Sequence, residues 1–188
     1  MSLREYIQRL QSSGQLRHVQ TPVSKTYEIA GILKQLEPAP LIFDTVKESP
    51  FRVAGNLFCT KASFADYFGI HVSEIIPTLA AAIDRRSPPQ VTTSAPCQEV
   101  VDYQPDLNRL PILRHCELDG GNYISSGVVI ARHPHYGQNA DFHRMMQFSP
   151  TEMAVRVVRS RHFDTFLRDL QQIDVAVCIG NAPSVLAA

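Results

Sequence analysis

YISSGVVIARHPHYGQNADFHRMMQF, residues 123–148, decides how the second half of the chain folds. The run 123–132 has a β-branched, apolar centre in Val128, Val129 and Ile130 and ends at His133-Pro134, which reads as a strand. HPHYGQN (133–139) is turn chemistry, and 139–148 reads as the return strand, broken by Ser149-Pro150. Beyond it, 153–158 forms another strand. Residues 160–172 form an amphipathic helix with Phe163, Phe166, Leu167 and Leu170 on its apolar stripe, and 174–179 a strand of buried type. The region is β-rich with one clear helix. It is no βαβ array, and Gly180-Asn181-Ala182 is not G-x-G-x-x-G, so a dinucleotide fold has little support.

The N-terminal half reads differently. Ser2 is a helix N-cap, Leu3, Tyr6, Ile7 and Leu10 recur at helical spacing, and Gly14 stands at the C-cap. A short strand over 16–21, a helix over 27–36 closed by Pro38 and Pro40, and strands over 41–44 and 51–54 follow. Residues 61–68 and 72–86 are helical, the second bent or restarted at Pro77. Charge thins at Ser87 in SPPQVTTSAPCQ, which marks a connection there or later, near Pro111. The reading is α+β: a small α/β domain over 1–110 and a β-rich domain over 111–188.

Bulk properties narrow the function. Lys+Arg 18 against Asp+Glu 18 disfavours nucleic acid as a partner, because neutralising many phosphates needs an excess of cations. No apolar run is long enough for a membrane span, and the N-terminus has no signal-like apolar core. Cys59, Cys97, Cys116 and Cys178 form no close pair, so they read as reduced thiols of a cytoplasmic protein rather than a zinc site.

The chemistry-bearing residues gather between His133 and His162. Asn139, Asp141 and His143 share one face of a regular strand, either as donors for a hard cation or as a solvated polar face. His133 and His135 read as loop histidines. Arg144 lies between Phe142 and Met146 on the otherwise apolar face, where it either meets an anion or snorkels from an edge. Arg156, Arg159 and Arg161 precede a helix N-terminus, so they either help it hold a phosphate or are surface charge.

NRLPILRHCELDGGNYISSGVVIARHP (108–134) resembles the stretch of UbiD-like decarboxylases that runs from LPIL through DGG into a long strand. LREYIQRLQSSGQLRHV, YEIAGIL, the GNLF of residues 55–58 and the closing IGNAPSVLAA fit the same family in the same order. The resemblance implies a split β-barrel of the flavin-reductase type in the second domain. It also implies prenylated FMN as cofactor, with a divalent metal, commonly manganese, and potassium at its phosphate. In N-x-x-x-x-R, here NADFHR, Asn139 is implied as a metal ligand and Arg144 as the contact to cofactor and substrate carboxylate. Asp141, Phe142 and His143 lie between them on the cofactor, Phe142 and His143 mainly through backbone. Arg156, Val157, Val158, Arg161 and His162 are implied as further cofactor contacts, with His162 a metal ligand in one branch of the family.

Asn139 and Arg144 face opposite sides of a regular strand, so serving one site requires a bulge or a strand that starts after Asn139. The family's glutamate ligand and proton-handling acids would lie beyond position 188. The chain then corresponds to the N-terminal part of a carboxy-lyase, inactive alone and completed by a C-terminal half or partner subunit. The complete enzyme is expected to be a homo-oligomer acting on a small aromatic or α,β-unsaturated carboxylic acid. The alternatives are a non-catalytic flavin-binding or assembly subunit and a plain FMN oxidoreductase.

Overall fold

The computed structural model describes residues 1–85 and 90–187. Helix α1 (Leu3–Ser12) opens with Ser2 and Glu5 in a reciprocal capping box, which satisfies two of the amides that a helix start leaves open. Tyr6 and Leu10, one turn apart, form its buried face. There follow β1 (Arg17–Val19), α2 (Glu28–Gln35), β2 (Leu41–Phe43) and β3 (Val53–Gly55). β2 is the centre of a mixed sheet, parallel to β1 and antiparallel to β3. All three of its residues are buried, the pattern of a strand covered on both faces.

The GNLF motif has a structural job in this part. Asn56 adopts a positive φ of 57°, and its Nδ2 donates to the Leu33 carbonyl near the end of α2 at 2.7 Å. Leu57 is buried and Phe58 stacks on Tyr6, centroids 5.0 Å apart. Helix α3 (Lys61–Phe68) covers the predicted span, capped by Thr60 and ended by Gly69 at φ 67°. The helix read over 72–86 opens as a 3₁₀ turn at Val72–Glu74 and restarts as α4 (Ile75–Asp84). Pro77 falls in its first turn, where a missing N–H costs nothing. The expected helix end at Arg86 and the domain boundary at Ser87 lie outside the described residues.

The second part contains β4 (Tyr123–Ile124), β5 (Val128–His133), β6 (Gly137–Phe142), β7 (Met145–Gln147) and β8 (Met153–Val155). After these come α5 (His162–Leu170), β9 (Val175–Cys178) and α6 (Pro183–Leu186). The strands form two antiparallel sheets, β4-β7-β8 and β6-β5-β9, and neither closes into a barrel among the described residues. Ile112, Ile124, Val129, Ala131 and Met145 pack with Phe163 and Phe166 of α5 as their common core. The architecture is α+β.

The hairpin over 123–148 needs correction. Each expected strand is two, interrupted at 125–127 and at 143–144, and the pieces pair in different sheets. At Gly127 a side chain has no room: a Cβ would lie 2.9 Å from Ile124 Cγ2 and 3.2 Å from Met145 Cε. The chain crosses between sheets there. His133 is no turn residue but the last of β5, only 3% exposed. Its Nδ1 accepts the backbone N–H groups of His135 (3.1 Å) and Tyr136 (3.3 Å), so a buried imidazole satisfies the turn's amides. The strand read over 153–158 stops at Val155. The next helix starts at His162 rather than Ser160, because Ser160 has a positive φ of 64° and Arg161 is extended.

The N-terminal part and the sheets are tied by backbone. Thr26 and Arg114 form a parallel bridge, Tyr27 N–H donates to the Arg114 carbonyl at 2.9 Å, and Arg114 N–H to the Lys25 carbonyl at 3.1 Å. Among the described residues no helix is long and apolar enough to cross a membrane.

Candidate cofactor and metal site

β6 pairs with β5 in a register that sets Asn139 against Ala131 and Asp141 against Val129. Alternation puts Asn139 and Asp141 on the half-buried face, while Ala140 and Phe142 are exposed. The ladder then ends. His143 turns inward, 7% exposed, with its ring 4.5 Å from that of Phe163. Arg144 turns out over the ring of Tyr123, its guanidinium carbon 4.1 Å from the centroid. β6 runs through Asn139 rather than starting after it, and what interrupts the alternation is the break after Phe142. It frees Arg144 from the alternation that would oppose it to Asn139.

His162 is the first residue of α5, and its Nδ1 lies 3.3 Å from Asn139 Oδ1. Two donors bound side by side on a six-coordinate ion, with bonds of about 2.1 Å, are about 3 Å apart. An amide oxygen and an imidazole nitrogen at this spacing fit adjacent positions on a divalent cation. No group of three His, Cys, Asp or Glu suited to a metal occurs among the described residues. Asn139 Nδ2 donates to Asp141 Oδ2 at 3.0 Å. Asp141 Oδ1 faces His143 Nε2 at 2.8 Å. That approach is off the line a hydrogen bond needs, and both atoms are buried without another partner.

Arg144 has a counter-ion that the sequence reading missed. Its Nη2 is 3.3 Å from Asp119 Oδ1, and Asp119 is the acid of the DGG motif. Asp119 Oδ2 accepts the backbone N–H groups of Cys116 (3.1 Å) and His115 (3.2 Å). The Cys116 N–H first, with the Cys116 thiol, the His115 N–H and the Arg144 charge, holds the Asp119 carboxyl below the usual aspartate range against the opposing effect of burial. Asp119 raises the Cys116 thiol in turn. DGG was the available signal; the Tyr123 ring beneath the guanidinium had none.

Arg156, Val158, Arg159 and Arg161 are exposed, while Val157 packs against the core. Among the described residues the side chains of Arg156, Arg159 and Arg161 have no ion-pair partner. Arg161 caps α5 without a side-chain bond, which leaves first-turn amides open to an anion. Tyr123 also lines a cleft of about 710 Å³ with Ile112, His115, Ser125 and Ile179. That size suits a small ligand. Asn139 and His162 do not line it.

Two family models match the chain. The 3-octaprenyl-4-hydroxybenzoate carboxy-lyase N-terminal domain matches residues 7–83, and the Rift-related domain of the same carboxy-lyase, UbiD, matches residues 90–188. An anhydromevalonate phosphate decarboxylase of Methanosarcina mazei is 31% identical over the whole chain and 44% of its own length. Its counterpart from Methanothermobacter thermautotrophicus is 34% identical over 90% of the chain and 41% of its own length. An evolved dimeric form of the UbiD-class enzyme HmfF from Pelotomaculum thermopropionicum, solved with prFMN, superposes with a TM-score of 0.90 at 30% identity. That match covers 97% of the chain and 45% of the HmfF chain. The chain spans less than half the length of the relatives it matches.

Proposed function

The chain belongs to the UbiD family of carboxy-lyases, and on that premise we propose that it forms the prenylated-FMN- and metal-binding half of a decarboxylase for an α,β-unsaturated or aromatic carboxylic acid. The observation that carries this reading is the Asn139–His162 pair at 3.3 Å, a donor set suited to a divalent metal such as manganese. Prenylated FMN, when bound, supplies an electron sink for the carbanion character left at an sp² carbon as CO₂ departs.

This chain's residues then have distinct tasks. Asn139 and His162 would hold the metal, whose charge, together with potassium, would offset that of the cofactor phosphate. Arg156 and Arg161, with the open amides of α5, would hold that phosphate. Asp141, Phe142, His143, Val157 and Val158 line the cofactor. His143 and Val157 do so through backbone, because their side chains are turned into the core. Arg144 grips the substrate carboxylate with its planar fork, held in reach by Asp119 and Tyr123. Proton delivery falls to the part of the relatives that this chain does not span.

The test is reconstitution of the full protein with prenylated FMN and Mn²⁺, followed by CO₂ release from anhydromevalonate phosphate and from 3,4-dihydroxybenzoate. Release from one of them, reduced about 100-fold or more by Arg144→Ala, is the expected result. Cofactor binding with no release from either acid would instead favour a non-catalytic flavin-binding subunit, and turnover indifferent to Arg144→Ala would remove the assigned carboxylate grip.

A further inference from the structure

The geometry points to Asp141 as the positioning residue of the metal pair: its carboxylate holds the Asn139 amide so that the carbonyl oxygen is turned toward His162. The inference rests on the metal reading above and adds the residue that prepares it. A carboxylate only accepts hydrogen bonds. Asp141 Oδ2 lies 3.0 Å from Asn139 Nδ2, so the donor end of the amide must face Asp141. The acceptor end then faces away, and Asn139 Oδ1 lies 3.3 Å from His162 Nδ1. The last torsion of an asparagine is broad and roughly two-fold, and only one of its two orientations offers oxygen to a cation. Asp141 removes that choice before any metal arrives.

Asp141 is itself held in place. Its Oδ1 is 2.8 Å from Nε2 of the buried His143, and the His143 ring packs on Phe163 at 4.5 Å. Phe163 directly follows His162 in α5. The contacts therefore close a circuit from His162 to Asn139, Asp141, His143 and Phe163 and back to the helix that carries His162. A strand and a helix from separate parts of the chain are locked at the spacing the metal needs. Asp141 Oδ2 is taken by the Asn139 amide, while Oδ1 stands against His143 without a hydrogen bond, so the contact Asp141 makes with the metal pair runs through Asn139. Partners of this kind behind a metal ligand change affinity about 10–100-fold when removed.

The experiment titrates Mn²⁺ into the full protein with FMN bound, following free Mn²⁺ by its electron paramagnetic resonance signal. Asp141→Ala should raise the Mn²⁺ Kd about 10–100-fold. Asp141→Asn keeps an oxygen acceptor for the Asn139 amide and should stay within about threefold of the parent. Should Asp141→Ala fail to fold, the near-isosteric Asp141→Leu takes its place with the same expected weakening. Asn139→Ala and His162→Ala should each abolish tight binding. If neither does, the metal reading falls and the positioning role falls with it. If both do while Asp141→Ala and Asp141→Leu bind like the parent, only the positioning role is overturned. Asp141→Asn as weak as Asp141→Ala would also overturn it, because the carboxylate charge would then matter and not the orientation of the amide.

Discussion

Arg144 is the residue where charge, packing and proposed function meet. Its guanidinium sits over the Tyr123 ring and against Asp119, yet 60% of the side chain remains exposed. An arginine held this way is pre-oriented and still able to accept a carboxylate, because its fork has more donors than Asp119 can use. Asp119→Asn should loosen it and lower kcat/KM of the assembled enzyme about tenfold, mainly through KM. The same variant should flatten the acid limb of stability. The Asp119 pKa is depressed in the folded state, so its stabilisation is complete above the ordinary aspartate range and lost as pH falls through the depressed value. Thermal midpoints measured from neutral pH downward should therefore converge for parent and Asp119→Asn at the acid end. Parallel curves would show that Asp119 contributes nothing pH-dependent.

At the scale of elements, the decisive event is the double interruption of the central hairpin. β5 and β6 pair through residues 128–133 and 137–142, whereas β4 and β7, their continuations, pair in another sheet through Tyr123–Met146 and Ile124–Met145. The interruption at 143–144 sends His143 inward and Arg144 outward, and the one at 125–127 depends on Gly127. A methyl group there would meet Ile124 Cγ2, Met145 Cε and Val177 Cγ1 between 2.9 and 3.3 Å. The nearest of these atoms belongs to a stiff β-branched side chain, which cannot swing aside. Gly127→Ala should cost about 1–3 kcal/mol from crowding, seen as a thermal midpoint lower by several degrees. An unchanged midpoint would mean that the two sheets yield at their junction. His133 belongs to this scale too: by accepting two turn amides it fixes the hairpin tip that sets the β6 register.

Across the whole molecule, the N-terminal part and the sheets share more than a covalent link. Besides the Thr26–Arg114 bridge, Lys25 Nζ donates to the carbonyls of Asn108 and Leu110, and Ser49 Oγ to that of Arg109 at 2.6 Å. Leu113 packs into the cluster around Ile29, Leu41 and Phe43, and Ala182 into the one around Tyr6 and Leu10. Burying apolar surface contributes about 25 cal/mol per Å², so neither part unfolds without exposing apolar surface of the other. Calorimetry should show one transition with matching calorimetric and van't Hoff enthalpies. Two resolved transitions would make the parts independent.

Local chemistry was enough to read α3 to the residue, the capped start of α1 and the α+β class. Helix caps and hydrophobic period act over a few neighbours and are written in order along the chain. The family motifs pointed to the residues of the proposed metal pair as well. Tertiary structure alone decided that Asn139 meets His162, that Asp141 accepts from the Asn139 amide, that Asp119 and Tyr123 contact Arg144, and that His133 is buried. Each of those outcomes depends on where a strand stops pairing and what then packs against it. That is set by contacts between residues far apart in sequence, which periodicity cannot register.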